Sequence, residues 1–164
     1  MLAHLQRDIL DALGARALPV IYREMILTGR TRQFVLFPES SRRVPPEAVE
    51  IIHTLLGIEL KVGRRRLSCP DLATARFLQV FARLGVGTVA VPYDISQISR
   101  IADELESGWQ HLLLMVEDRA QDSPPRTRML LRNKLIAAMS AEIEKLGAGT
   151  KVPEFNQNTK QRRF

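Results

Sequence analysis

The fold of this chain is decided by residues 57–94, which read GIELKVGRRRLSCPDLATARFLQVFARLGVGTVAVPYD. Apolar residues alternate with polar ones over 58–62, as on a half-buried strand. Ser68-x-x-Asp71 resembles a capping box, and Gly85 stands where the helix that begins there should end. A short β-branched run follows at 88–91. The stretch therefore predicts a strand, a basic turn over 63–66, a capped helix and a second strand.

Upstream of this stretch, the pattern predicts one helix and two strands. Leucine and isoleucine recur at helical spacing over 2–15. β-forming residues over 20–26 and 34–37, separated by the turn-like Thr28-Gly29-Arg30-Thr31, predict a hairpin. A polar loop with three prolines covers 38–46. Apolar residues on one side of 47–56 then predict a short helix that Gly57 ends.

Downstream of it, the pattern predicts two helices. Asp94-x-x-Gln97 begins the first, over 95–117, with an apolar seam that includes Trp109 and Leu112. Residues 118–126 form a linker with two prolines. The last helix, over 127–146, has a seam that includes Met139 and Ile143. The polar residues 147–164 predict a basic, flexible tail.

The predicted fold class is therefore α/β, as one domain with a small mixed sheet. The element order is α-β-β-(α)-β-α-β, followed by a C-terminal helical hairpin. We divide the chain into an α/β core with the start of the hairpin (1–117), a linker and C-terminal helix (118–146) and the basic tail (147–164).

The charge of the chain predicts an anionic partner. Its formal net charge is +6 and its pI about 10.1, and arginine supplies most of the positive charge. The planar guanidinium group binds phosphate in a forked geometry that lysine lacks. Net charge governs association rather than fold, so DNA or RNA is a predicted partner on this ground alone.

The cellular setting follows from what the sequence lacks. Cys69 is the one cysteine, which excludes an internal disulfide and a cysteine-based zinc site and suits a reducing compartment. The first sixteen residues include acids and no uninterrupted apolar core, so we do not expect a signal peptide. No apolar run approaches the roughly 20 residues of a membrane span. We therefore predict a cytoplasmic protein with no membrane partner.

Glu59 and Lys61 are the candidate catalytic residues. Two residues apart on a strand, their side chains point to the same face. A metal-dependent phosphodiesterase presents a metal-binding carboxylate beside a charge-stabilising amine in this way. The same alternation also fits an ordinary solvated strand face above a core of Ile58, Leu60 and Val62, so both interpretations remain open here.

The Glu59-Leu60-Lys61 arrangement resembles the ExK half-motif of the PD-(D/E)xK (restriction-endonuclease-like) superfamily. The order of elements over residues 1–93, without the bracketed helix, is similar to the core order of that superfamily. The resemblance implies a nuclease in which Mg²⁺ is held by Glu59 and a second acid, with Lys61 supporting the attack on a phosphodiester. Pro38-Glu39 stands where the motif has Pro-Asp, so the resemblance implies Glu39 as the second metal ligand, with Glu24 on the first predicted strand as a further candidate.

Arginine clusters beside this site are candidate phosphate contacts. Arg64, Arg65 and Arg66 follow the strand directly, and Arg42 and Arg43 lie in the neighbouring loop. A turn needs polar residues but not three consecutive arginines, so we expect these residues to bind the backbone of nucleic acid.

Two alternative functions compete with a nuclease. A non-enzymatic adaptor would use the seams of helices 95–117 and 127–146 to bind another protein or a second copy, with the basic tail on an acidic surface. A winged helix-turn-helix domain would place the helix that begins near Ser68 in DNA, with Thr74, Arg76 and Arg83 in contact; the strand before that helix disfavours this interpretation.

Overall fold

The computed structural model describes residues 2–39 and 41–148. The helices are Leu2–Leu13 (α1), Leu18–Ile21 (α2), Leu72–Leu84 (α3), Ile95–Arg119 (α4) and Pro125–Leu146 (α5). The strands are Thr31–Val35 (β1), Val49–Thr54 (β2), Gly57–Val62 (β3), Arg65–Cys69 (β4) and Thr88–Pro92 (β5). The chain is mixed α and β, as predicted. The strands form two antiparallel sheets, the pair β1–β5 and the meander β2–β3–β4, and not the one small mixed sheet that we expected.

Helix α3 ends where the sequence indicates, but it begins three residues later than predicted. Its cap is Asp71, whose Oδ1 accepts a hydrogen bond of 2.7 Å from the backbone N–H of Thr74. Ser68 is not the cap, because residues 65–69 form strand β4. This strand was not predicted, so the expected basic turn over 63–66 is wrong for Arg65 and Arg66. Gly85 ends the helix with a φ of 75°, in the left-handed region that glycine occupies without strain.

The core surrounds α3. Phe77, Leu78 and Phe81 are fully buried, and the helix contacts the meander on one side and α4 on the other. On β3 the inward-facing Leu60 and Val62 are buried, as the predicted alternation requires. The meander therefore covers α3 with its apolar face and leaves its charged face to solvent.

The predicted strand over 20–26 is wrong, because this segment is helical. Helix α2 begins with Pro19 in its first turn and continues as a turn of π-helix, Tyr22–Ile26. The buried residues Leu18, Ile21, Tyr22 and Ile26 recur at helical spacing, which outweighs the β-propensity of valine, tyrosine and isoleucine here. Strand β1 consequently has no hairpin partner before it and pairs with β5.

The predicted helix over 47–56 is also wrong. The prolines lead into one 3₁₀ turn, Pro46–Ala48, and β2 follows directly. Thr54 closes the tight β2–β3 turn: its hydroxyl accepts from the N–H of Leu56 at 3.2 Å and donates to the carbonyl of Gly57 at 3.0 Å. A β-branched run on both sides of this turn fits a hairpin better than a helix.

The two C-terminal helices lie close to their predicted bounds of 95–117 and 127–146. Asp94 caps α4, with its carboxylate accepting from Ser96 N–H at 3.0 Å. Their seam residues Trp109, Leu112, Met139 and Ile143 are buried within the chain itself. Most of the predicted basic tail, from residue 149 onward, lies outside the described residues.

Gly108 permits a close contact between α4 and the chain before α2. A Cβ atom at this position would lie 2.8 Å from the carbonyl oxygen of Arg16 and 3.0 Å from Cδ2 of Leu18. Alanine favours helix more than glycine does, but backbone at this distance has no room for a methyl group. We expect Gly108→Ala to lower the free energy of unfolding by about 2 kcal/mol in urea denaturation.

Ser107→Ala, on the exposed side of the same turn, is the matched control for that measurement. It should change the free energy of unfolding by less than about 0.5 kcal/mol. A Gly108→Ala variant as stable as the control would show that α4 does not approach the chain this closely.

Candidate nucleic-acid interface

The predicted catalytic pair lies on the solvent-facing side of the meander. The ammonium group of Lys61 is 3.8 Å from the carboxylate of Glu50, its cross-strand partner on β2. The carboxylate of Glu59 is 3.5 Å from the guanidinium group of Arg66 on β4. The two side chains therefore share a face, as predicted, and each one has a partner of opposite charge on a neighbouring strand. Exposed pairs of this kind contribute little to stability.

The predicted metal ligands lie on different elements. Glu39 is exposed in the turn region after β1, and Glu59 is on β3. Within residues 2–39 and 41–148, no group of three or more histidine, cysteine, aspartate or glutamate residues is arranged to hold a metal ion. Mg²⁺ can bind through one or two carboxylates with several waters, so Glu39 and Glu59 stay a prediction as its ligands.

Four of the five predicted phosphate-binding arginines border one loop. Arg43 and Arg65 both lie over the ring of Phe37, with their guanidinium carbons 5.1 and 5.9 Å from its centre. Arg65 also donates to the carbonyl of Leu36 at 2.6 Å and to the hydroxyl of Ser41 at 3.3 Å. We call the corner formed by Arg42, Arg43, Arg64 and Arg65 the arginine corner.

The arginine corner is held together by its two inner members. Arg43 donates from Nε to the carbonyl of Gly85 at 2.8 Å, which ties the loop to the end of α3. The turn at Gly63 lies so close to the loop that a Cβ there would be 2.8 Å from Val44 Cγ1. Cation–π contacts and hydrogen bonds to carbonyls therefore hold this corner in place. The one acidic residue that pairs with these two arginines in the described part of the chain is Glu144, whose carboxylate lies 3.7 Å from Arg43.

The two outer members, Arg42 and Arg64, are exposed. Neither has a hydrogen-bonding or ion-pairing partner among the residues that the structure describes. Arg66, the fifth predicted contact, belongs to the outer face of the meander with Glu59 and not to this corner. The arginine corner can thus offer two unneutralised guanidinium groups on a fixed support.

A second cationic feature was missed by the sequence analysis. The guanidinium carbons of Arg30 and Arg32 lie 5.6 and 5.7 Å from the ring centre of Tyr93, an exposed side chain. The pairing of Thr31 with Pro92 brings these residues together across sixty positions of sequence. The only local signal was the spacing of the two arginines, because the partner strand of β1 was predicted wrongly.

Helix α3 does not present the surface that a winged helix-turn-helix domain requires. Thr74 is buried, and Arg76 forms ion pairs with Asp103 at 2.6 Å and with Glu106 at 3.1 Å. These carboxylates raise the pKa of the Arg76 guanidinium further above its usual value. A helix that is covered on both sides cannot enter a major groove, so this alternative is wrong.

Comparisons with known proteins assign neither a family nor a function to the chain. No family model, curated protein or solved structure matches the chain. The resemblance to the PD-(D/E)xK superfamily therefore stays a prediction. None of the helices in the described ranges combines the length and apolar character that a membrane crossing needs.

Cys69 is buried at the end of β4, and we expect it to be inert. Burial raises the pKa of its thiol, and the negative charge of Asp71 acts in the same direction, against a hydrogen bond from the backbone of Leu60. A thiol reagent at pH 8 should modify it more than a hundredfold more slowly in the native protein than in urea. Equal rates in the two conditions would show that the β4–α3 junction opens readily.

Proposed function

We propose that this protein binds nucleic acid through the arginine corner. The observation that carries the proposal is that two of its four arginines hold the loop and the turn in place, while the other two are exposed and unpaired among the described residues. Arg43 and Arg65 support the loop and the turn, while Arg42 and Arg64 project without a neutralising partner among the described residues. Arginines that are already positioned lose less entropy when they meet a phosphate backbone.

The proposed contact is with phosphates and not with bases. The two exposed members of the corner, Arg42 and Arg64, lie on a loop and a turn, and not on a helix or strand that could enter a groove. Contacts of this kind set affinity and register but carry no sequence information. We therefore expect binding that depends on salt and tolerates many sequences.

Two further features support an anionic polymer over a small anion. Arg30, Arg32 and Tyr93 add a second exposed cationic cluster that includes an aromatic ring. Residues 149–164 contain four basic residues and one acidic residue, so they carry half of the formal charge of +6. Cationic groups spread over several segments suit a partner that is itself extended.

Removal of the two outer guanidinium groups tests the proposal. We expect the double variant Arg42→Gln, Arg64→Gln to bind a fluorescent 20-mer of DNA or RNA roughly tenfold more weakly at low salt. The slope of log affinity against log salt should fall by about two, since each lost phosphate contact removes close to one. Fluorescence anisotropy across a salt series measures both quantities.

The charge-matched control is the double variant Arg7→Gln, Arg100→Gln. Both residues are exposed on helices α1 and α4, away from the arginine corner. If this control loses as much affinity as the corner variant, the binding reflects net charge alone and the proposed interface is wrong. The same holds if the corner variant binds as the wild type does.

Hydrolysis of the bound nucleic acid is a separate hypothesis, and the same DNA or RNA substrates can test it. In it, Glu39 and Glu59 hold Mg²⁺, and Lys61 stabilises the attack on the phosphodiester. The metal would have to displace Arg66 from Glu59, and Lys61 would have to leave Glu50. Cleavage that requires Mg²⁺ or Mn²⁺ and disappears in Lys61→Ala would support it, whereas full cleavage by that variant would dismiss this site.

Self-association is the second candidate function, and one surface favours it. Met129 of α5 is a large apolar side chain that remains exposed and lines a cavity of about 400 Å³, and Leu114 of α4 and Leu130 of α5 are also exposed. The ion pair of Glu117 with Arg128 borders this surface at 2.9 Å. Because this border carries both an acidic and a basic side chain, two copies could meet with two-fold symmetry, with Arg128 of each copy paired to Glu117 of the other.

A change of Leu114 tests this second candidate. We expect the wild type to sediment as a dimer at micromolar concentrations and Leu114→Glu to sediment as a monomer, because a buried carboxylate opposes association. Leu55→Glu, at the exposed tip of the β2–β3 turn, is the control and should not alter the distribution. A wild type that stays monomeric up to about 100 μM would contradict homodimer formation, since stable interfaces persist at such concentrations.

A further inference from the structure

A groove of about 650 Å³ lies between α5, the end of α3 and the segment after the arginine corner. Its volume is in the range of small-molecule sites. One wall is apolar and consists of Val44, Pro45, Leu84, Met129 and Ile136. Three arginines also line it, Arg43, Arg83 and Arg132, against the two carboxylates of Glu47 and Glu144.

Two of these arginines have unused hydrogen-bonding capacity. Arg132 pairs with Glu47 through Nη1, but its Nε is buried without a partner among the described residues. Arg83 forms no ion pair with a carboxylate of those residues and lies 5.7 Å from the ring centre of Trp109. A buried donor without an acceptor costs free energy. Because the Arg132 Nε is itself buried, the side chain would have to turn toward the groove before an acceptor from outside could reach this atom.

The electrostatics of the groove point in the same direction. Burial lowers the pKa of Arg83, and the negative charge of Glu106 only partly opposes this. The lowered pKa has a physical cause: the guanidinium group has lost solvation without gaining an adjacent counterion. Three cations against two anions leave the groove with a net positive charge, next to an apolar wall.

We propose that this groove binds a nucleotide-sized phosphomonoester, with its phosphate at Arg83 and Arg132 and its body against the apolar wall. A phosphate presents three terminal oxygens and close to two negative charges, so it can accept from both guanidinium groups at once. A carboxylate has two oxygens and one negative charge, so it would leave some of the N–H donors of Arg83 and Arg132 without an acceptor. The groove borders the arginine corner at Arg43. The proposal still does not depend on the polymer-binding function, because its phosphate contacts are Arg83 and Arg132 and not Arg42 and Arg64.

The phosphomonoester could come from a free nucleotide or from the phosphorylated end of a strand. Isothermal titration calorimetry with AMP, with a 5′-phosphorylated trinucleotide and with its 5′-hydroxyl counterpart distinguishes these sources. Binding of AMP indicates a free nucleotide, and binding of the phosphorylated trinucleotide alone indicates a strand end. Either result supports the groove, and equal binding of both trinucleotides contradicts it.

Variants locate the site. We expect Arg83→Gln to weaken the binding of the phosphorylated probe at least tenfold, since a charge-assisted donor is lost. Arg126→Gln, an exposed charge change near the start of the same helix α5, should leave it unchanged. If Arg83→Gln proves unstable, Ala137→Trp fills the groove from the exposed side of α5 without changing an arginine, and should abolish binding.

Several results would overturn the assignment. They are no saturable binding of either phosphorylated probe to the wild type, an equal loss of affinity in Arg126→Gln, or unchanged affinity in both Arg83→Gln and Ala137→Trp. Hexanoate bound as tightly as the phosphorylated probe would also overturn it, because the groove would then select a carboxylate.

Discussion

Burial of α3 on two sides is the constraint on which the rest of the structure depends. A three-stranded meander has no stability of its own unless one face is covered. Helix α3 provides that cover, and the burial of its Phe77 and Phe81 side chains contributes about 1.5–3 kcal/mol each. The other side of the helix packs against α4, which in turn contacts α1, α2 and α5. This helix of thirteen residues therefore contacts the meander, α4 and α5 directly, and the β1–β5 sheet is joined to it through α4.

Tyr22 fixes the second sheet and the end of α5 to this centre. Its ring meets that of Phe81 edge to face at 5.5 Å, its hydroxyl accepts from the N–H of Ala90 at 3.1 Å, and it donates to the carbonyl of Gly147 at 2.7 Å. Burial raises the pKa of the phenol, so it remains a donor at any ordinary pH. One side chain thus joins the π-helical turn, β5 and the end of α5, which is why a residue that was predicted to lie in a strand is central to a helical segment.

Features specified by local chemistry were predictable from the sequence, and features specified by distant contacts were not. Gly85 marks the end of α3 by its backbone angle and Asp94 marks the start of α4 by its hydrogen bond, and both boundaries lie where these residues indicate. The start of α3 was predicted at Ser68, and the cap is instead Asp71. The segment 20–26 contains good β-formers, yet its burial pattern is helical, and no local rule reveals which signal wins. Of the candidate site, the shared face of Glu59 and Lys61 and the grouping of Arg42 with Arg64 could be predicted. Their ion-pair partners could not, because Glu50 and Arg66 depend on strand register.

The arginines of this chain divide into those that build the fold and those that remain available, and this division explains the choice of arginine over lysine. Arg43 and Arg65 use planar guanidinium groups to stack on Phe37 while donating to backbone carbonyls, which a lysine ammonium cannot do in the same geometry. Their guanidinium groups contact an aromatic ring and backbone carbonyls, and Glu144 is the one carboxylate that pairs with them among the described residues. The positive charge of the loop is therefore not neutralised by the contacts that hold it in place. The positive potential of Arg42 and Arg64 is therefore a consequence of how their neighbours fold. A chain that had anchored the same loop with carboxylates would have cancelled the charge that its exposed residues present.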